Sequence, residues 1–178
     1  MPNIYIICGP NGAGKTTAAQ FLLPKELKVE QYINADHIAH AISPFKPEDA
    51  NIQAGKVMIE RIKNLISRAE DFAFETTLST KFFSKLLKNA KKEQKYKIHL
   101  IYIWVHPVSL AKQRVAARVK LGGHGIEEKI IERRYYRSIN NFFKLYKKFA
   151  DEFTILDNSN EKPDLIADKT KVYNEDMM

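Results

Sequence analysis

Apolar residues along the chain fall into alternating short runs and spaced stripes. Residues 3–8, Asn-Ile-Tyr-Ile-Ile-Cys, are branched and almost wholly apolar, the pattern of a strand buried on both faces. A helix is expected from Lys15 to about Leu23, stopped by Pro24. Gln31 to Asn34 reads as a short second strand. From Pro47, Ala50, Ala54, Met58, Ile62, Leu65 and Ala69 recur at spacings of three and four, which predicts a long amphipathic helix over residues 47–70. Phe72 to Glu75 is a third strand, and the next helix includes Ser84 to Lys92 with Phe82, Phe83, Leu86, Leu87 and Ala90 on its apolar side. Ile98 to Val105 is a strong fourth strand, followed by a helix from Pro107 to about Lys120. A further helix runs from about Glu127 to Phe149, and Phe153 to Leu156 is a fifth strand. Residues 164–174 suit a small hairpin or edge strand. Strands alternating with helices predict an α/β fold, a doubly wound and mostly parallel sheet with helices on both faces. No internal repeat or interdomain linker interrupts the pattern, so residues 1–178 are expected to form a single domain.

In such sheets ligands bind beyond the carboxyl ends of the strands. Gly9-Pro10-Asn11-Gly12-Ala13-Gly14-Lys15-Thr16, directly after the first strand, matches G-x-x-x-x-G-K-[ST] at every specified position. Glycines let successive N–H groups turn toward phosphates, and the following helix directs its positive end at them. Lys15 can reach the β- and γ-phosphates, Thr16 can ligate magnesium, and Thr17 is a further candidate phosphate contact. The expected ligands are ATP or GTP with Mg2+, bound as in the P-loop nucleoside triphosphate hydrolase/kinase fold.

Composition narrows the class. The net charge of +8 favours anionic partners without choosing among them, and 44% apolar content suffices for one core. The one cysteine, Cys8, excludes an internal disulfide and fits a reducing compartment. No leader-like or membrane-spanning segment is legible, so a cytoplasmic protein is expected. Strand 98–105 ends in His106-Pro107 rather than in the acid of motor and transporter ATPases, and no Asn-Lys-x-Asp base-reading motif of GTPases occurs. A small kinase remains.

A kinase needs a group to orient the acceptor hydroxyl, cations for the developing charge and a cover against water. Asp36 is the candidate base or magnesium-water ligand, with a helix N-cap as its structural alternative. Glu75, Thr76 and Thr77 suit a hydroxylated acceptor, a solvated helix cap being the alternative. Arg114 and Arg118 share a helix face before Gly122-Gly123-His124-Gly125, the candidate lid within residues 119–134. Of Arg133, Arg134 and Arg137, Arg134 flanks its helix's apolar stripe and is the best placed to reach a cleft. Lys15, Asp36, Arg118 and Arg134 are thus the candidate catalytic set. His37 and His40 lack a third ligand and read as surface residues.

The phosphate loop, Asn-Ala-Asp-His-Ile-Ala, Phe-Glu-Thr-Thr-Leu-Ser, Gly-Gly-His and Arg-Arg-Tyr-Tyr-Arg-Ser together resemble the zeta-toxin family, in its short chromosomal branch, over residues 3–158. The resemblance implies a kinase that phosphorylates UDP-N-acetylglucosamine on the sugar 3′-hydroxyl with ATP or GTP, and an antitoxin that blocks the nucleotide site. It implies Asp36 as catalytic aspartate, Lys15 as loop lysine, Glu75 as an acid contacting the sugar nucleotide and Arg118 as a phosphate-binding arginine. The family's toxins carry another lid arginine where this chain has Gly-Gly-His, leaving Arg133 or Arg134 to substitute. A polynucleotide or RNA kinase, with nucleic acid the less favoured partner, and a non-catalytic ATP-binding module are the alternative readings.

Overall fold

The computed structural model describes residues 1–123 and 125–174. Its sheet has six strands: β1 (Asn3–Cys8), β2 (Tyr32–Ile33), β3 (Phe72–Thr76), β4 (Lys97–Trp104), β5 (Glu152–Asp157) and β6 (Asp164–Asp168). They lie in the order β2-β3-β1-β4-β5-β6. Every pair is parallel except β5–β6. Six α-helices connect them: α1 (Lys15–Leu22), α2 (Ala35–Ile42), α3 (Asn51–Ser67), α4 (Phe82–Glu93), α5 (Val108–Lys120) and α6 (Glu128–Asn141).

The sheet divides two apolar layers, as period-two alternation requires. Ile4, Ile6 and Cys8 of β1 pack with Met58, Ile62 and Leu65 of α3, Leu87 of α4, and Phe142 and Tyr146. On the opposite face Ile7 packs with Ala19 of α1, Ala111 of α5 and Tyr135 of α6. Helices therefore cover both faces, as the alternating pattern predicts.

Several boundaries differ from expectation. Pro24 does not stop the first helix: the chain continues through a π-helical turn, Leu23–Leu27, and ends at Lys28 in the left-handed region. The wider turn relieves proline's missing N–H and its clash with the carbonyl four residues back. The helix expected to reach Phe149 ends at Asn141 and opens into a second π turn, Phe142–Tyr146. The long helix from Pro47 starts as a 3₁₀ turn, Pro47–Ala50, before α3. Residues 164–174 form β6, antiparallel to β5, with an isolated bridge from Ala167 to Val172. Among the described residues, no helix is long and apolar enough to cross a membrane.

Candidate active site

The central strand β1 ends between β3 and β4, and the glycine loop begins there. Three of its glycines cannot be replaced without moving backbone or a pinned side chain, Gly12 among them, where at φ +77° a β-carbon would lie 2.5 Å from the Ala111 carbonyl oxygen. At Gly9, with φ +142°, a β-carbon would lie 2.2 Å from the Ile103 carbonyl oxygen. At Gly14, with φ +86°, it would lie 2.5 Å from Asn158 Nδ2, which donates to the Ala13 carbonyl at 2.9 Å. Asn158 follows β5 and clamps the loop from the far side. Its own carbonyl accepts from Arg114 Nη1 at 2.6 Å, and Ser159 O accepts from Nη2 at 3.2 Å. Asn158 was legible as a residue just beyond a strand end, yet no motif singles it out.

Lys15 is 7% exposed and donates to the Pro10 carbonyl at 2.9 Å. Burial lowers its pKa, while Glu75 and then Asp36 oppose that shift. Glu75 Oε1 stands 3.8 Å from Lys15 Nζ. Glu75 Oε2 accepts from Thr16 Oγ1 at 2.9 Å, Tyr32 OH at 2.8 Å and Asn34 Nδ2 at 3.0 Å. Burial, then the Glu75 charge, pushes the Tyr32 phenol up, so it serves as a donor here. Glu75 is therefore not a solvated helix cap. It is an anionic hub that joins the ends of β2 and β3 to the glycine loop. The acid beside the loop comes from β3, the second neighbour of β1, while β4 ends next to His106-Pro107 and offers none there. Tyr32 and Asn34 complete the hub, and sequence reasoning gave neither a role.

Asp36 sits in the first turn of α2, exposed at the cleft. It is not the N-cap. That position belongs to Asn34, whose Oδ1 accepts from the Asp36 and His37 amides at 2.8 and 3.4 Å. The Asp36 carboxylate is thus not used in capping. Its charge also reaches Arg134, whose pKa burial and then Arg133 lower and Asp36 raises. Arginine stays charged through such shifts.

All these groups open on one cleft of about 1190 Å3. Asn11, Gly12, Gly14, Lys15, Thr16 and Thr17 form its floor. Gly9, Pro10 and Ala13 lie in the loop but do not line it. Asp36, Glu75, Thr76 and Thr77 lie toward β2 and β3, and Arg114, Arg118 and Asn158 toward β4 and β5. Arg134 reaches it from α6, while Arg133 and Arg137 are exposed and do not line it. Of the expected lid, Gly123, Gly125, Ile126, Glu127 and Ile130 face the cleft, and His124 falls outside the described residues. Lys112 ties the two flanking helices through Glu132 at 2.6 Å. His37 and His40 also line the cleft, but among the described residues no group of three or more His, Cys, Asp or Glu is placed to hold a metal.

Comparison with known proteins agrees with this architecture. An uncharacterised protein from Haemophilus influenzae (strain ATCC 51907 / DSM 11121 / KW20 / Rd) is 39% identical over 128 residues, 72% of this chain and 89% of that one. A chain of the AvrRxo1-ORF1:-ORF2 complex with ATP superposes with a TM-score of 0.74 at 15% identity, covering 99% of this chain. The chain spans only 62% of that larger protein. The PezAT chromosomal toxin-antitoxin system of Streptococcus pneumoniae gives 0.68 at 18% identity, over 98% of this chain and 74% of that one. At such identities the superpositions establish the fold, that of the P-loop kinases. The zeta toxin family model matches residues 1–176, nearly the whole sequence, and the chain belongs to the zeta toxin family.

Proposed function

We propose that the protein is a magnesium-dependent kinase that moves the γ-phosphoryl group of ATP, or of GTP, to a hydroxyl of a small molecule. The observation that carries this reading is one cleft in which the glycine loop, Lys15 and Thr16 meet the Asp36 carboxylate and the Arg118 and Arg134 side chains. A pure binding module has no need of the second group.

The residues fit a magnesium ion. Thr16 Oγ1 and Glu75 supply hard oxygen atoms 2.9 Å apart at the foot of the loop. Magnesium favours one or two such protein oxygens together with substrate phosphates and water. Thr16 would ligate it and Glu75 would hold its water shell, and the ion would neutralise charge on the β- and γ-phosphates.

Loop amides and Lys15 position the triphosphate. Asp36 orients the acceptor hydroxyl and accepts its proton. The hydroxyl oxygen bonds to the γ-phosphorus as the bond to the β,γ-bridging oxygen breaks, and a nucleoside diphosphate leaves. Lys15, Arg118 and Arg134 stabilise the charge in flight, and the α5–α6 connection excludes water. Asp36→Asn should lower phosphoryl transfer by about 10²- to 10⁴-fold while leaving ATP binding nearly unchanged. Undiminished turnover by that variant would remove Asp36 from the mechanism.

Family membership alone suggests a nucleotide sugar as acceptor. PezAT is a toxin–antitoxin system, which supports an antitoxin as a protein partner for this chain.

A further inference from the structure

The glycine loop is held in shape by a side chain that does not belong to it. Gly12 and Gly14 take left-handed backbone angles, φ +77° and +86°, on either side of Ala13. Such a backbone turns successive N–H groups to one side, where an anion can sit, and turns carbonyls to the other. The carbonyl of Ala13, a fully buried residue, is met by Asn158 Nδ2 at 2.9 Å, across 145 positions of sequence.

Asn158 can do this because its own backbone is fixed. Its amide donates to Trp104 O at 2.9 Å and carries the β4–β5 ladder one residue past the strand end. Its carbonyl accepts from Arg114 Nη1 at 2.6 Å, and the next carbonyl, Ser159 O, accepts from Nη2 at 3.2 Å. The Ser159 amide donates to Asp157 Oδ1 at 3.0 Å, and Ser159 Oγ accepts from the His106 amide at 2.8 Å. Both main-chain groups of Asn158 are thus occupied, and its side-chain amide is delivered to one place. That amide also lies against Gly14, where a β-carbon would stand 2.5 Å from Nδ2. The glycine at this motif position therefore leaves room for Asn158 as well as permitting a positive φ.

The peptide between Ala13 and Gly14 has two orientations, which exchange the directions of its C=O and N–H. Gly14 tolerates both, since no β-carbon restricts its φ. With the N–H inward the peptide donates to a phosphate oxygen. With the C=O inward a partial negative charge faces a multiply charged anion. The bond from Asn158 to the carbonyl favours the first orientation, and without it a buried carbonyl loses its donor.

Resting on the nucleotide-binding half of the reading above, we propose that Asn158 is a positioning residue for the phosphate loop. It sets the Ala13–Gly14 peptide with its N–H toward the ligand, and it acts on phosphate affinity through the loop rather than by touching the nucleotide. Arg114, whose guanidinium is occupied by the Asn158 and Ser159 carbonyls, belongs to the same brace.

Calorimetric titration of the intact protein with two probes tests this. One is the magnesium complex of the non-hydrolysable β,γ-imido analogue of ATP. The other is magnesium tripolyphosphate, which has the phosphate chain and no nucleoside. Asn158→Ala should raise Kd for both probes by the same factor, about tenfold. Asn158→Asp keeps the shape but sets a carboxylate oxygen against the Ala13 carbonyl, and it should raise both by about a hundredfold. The number of binding sites per chain should match that of the unsubstituted protein. A loss confined to the ATP analogue means that Asn158 touches the nucleoside and overturns the proposal. Unchanged Kd values for both probes overturn it as well. A fall in the number of sites, with Kd unchanged for the remainder, reduces Asn158 to a folding role and also overturns it. These three outcomes leave the nucleotide reading standing, whereas an unsubstituted protein that binds neither probe overturns that reading itself.

Discussion

The two halves of the cleft are held in shape by different means. The donor half is a matter of backbone: a loop in conformations that exclude side chains, clamped by Asn158 and floored by one buried lysine. The acceptor half is a matter of side chains, Asn34, Glu75, Thr77 and Ser79, in segments braced by partners up to 66 residues away. Geometry that must meet a constant group, a triphosphate, is written mainly into eight consecutive residues, with Asn158 as a distant clamp. Geometry that meets a variable group is assembled from residues scattered between Asn34 and Tyr146.

That contrast can be broken at the donor side first. Lys15→Ala should lower kcat by about 10³-fold and weaken nucleotide binding, while acceptor binding persists. Parallel calorimetric titrations with ATP and acceptor check the split, and equal loss of both would mean that the halves are not separable. Gly14→Ala comes next, because a β-carbon must displace the Asn158 amide and accept a positive φ. A loss of about 1–3 kcal/mol in unfolding free energy is expected, and adding Asn158→Ala should recover its steric part, read as coupling in a double-mutant cycle. On the acceptor side, Asn141→Ala strips the donor from Leu78 O and should cost about 1–3 kcal/mol. Its KM for acceptor should rise while the ATP dissociation constant stays fixed, which chemical denaturation and steady-state kinetics report together.

The smallest effect lies outside both halves. Hydrogen bonds from Thr170, side chain then backbone, hold the Asp168 carboxyl at about 2, below its ordinary 3.8. Its ionised form is favoured in the native state, so its contribution is present above pH 3.8 and is lost as pH falls through about 2. Asp168→Asn should flatten the acid limb of thermal stability slightly over that window and leave both KM values alone.

The degree to which each part was legible follows from how local its determinants are. β1 and β4 are continuous apolar runs, and the glycine loop between β1 and α1 is a sequence pattern because its chemistry is local. The π turns at Leu23–Leu27 and Phe142–Tyr146 were not legible: at the first, Pro24 reads as a helix stop, and at the second the local pattern stays helical while only the hydrogen-bond ring widens. Helix α2 is eight residues with three histidines or alanines near its end, too short for a periodic signal. Glu75 was picked out by its place after a strand. Its attachment to Thr16 was not, because the pairing of β3 with β1 joins residues 59 apart in sequence. Tyr146 lies on an apolar stripe that reads as core and Asn141 lies off it, and nothing in the sequence marks either as a brace for Leu78 and Thr80.

The strand order carries one more consequence. At one margin of the sheet β2 is only two residues long, and at the other β6 runs against its neighbour and is itself partly overlaid as the chain turns back through Val172. Tyr173 and Asn174 donate their amides to the Ile166 carbonyl at 2.7 and 3.2 Å on that outer side. Long bare margins are what let one chain template another into ordered aggregates. Among the described residues the sheet offers a neighbour two residues at one end and a self-occupied strand at the other, a form of insulation for a molecule whose parallel strands must find each other slowly.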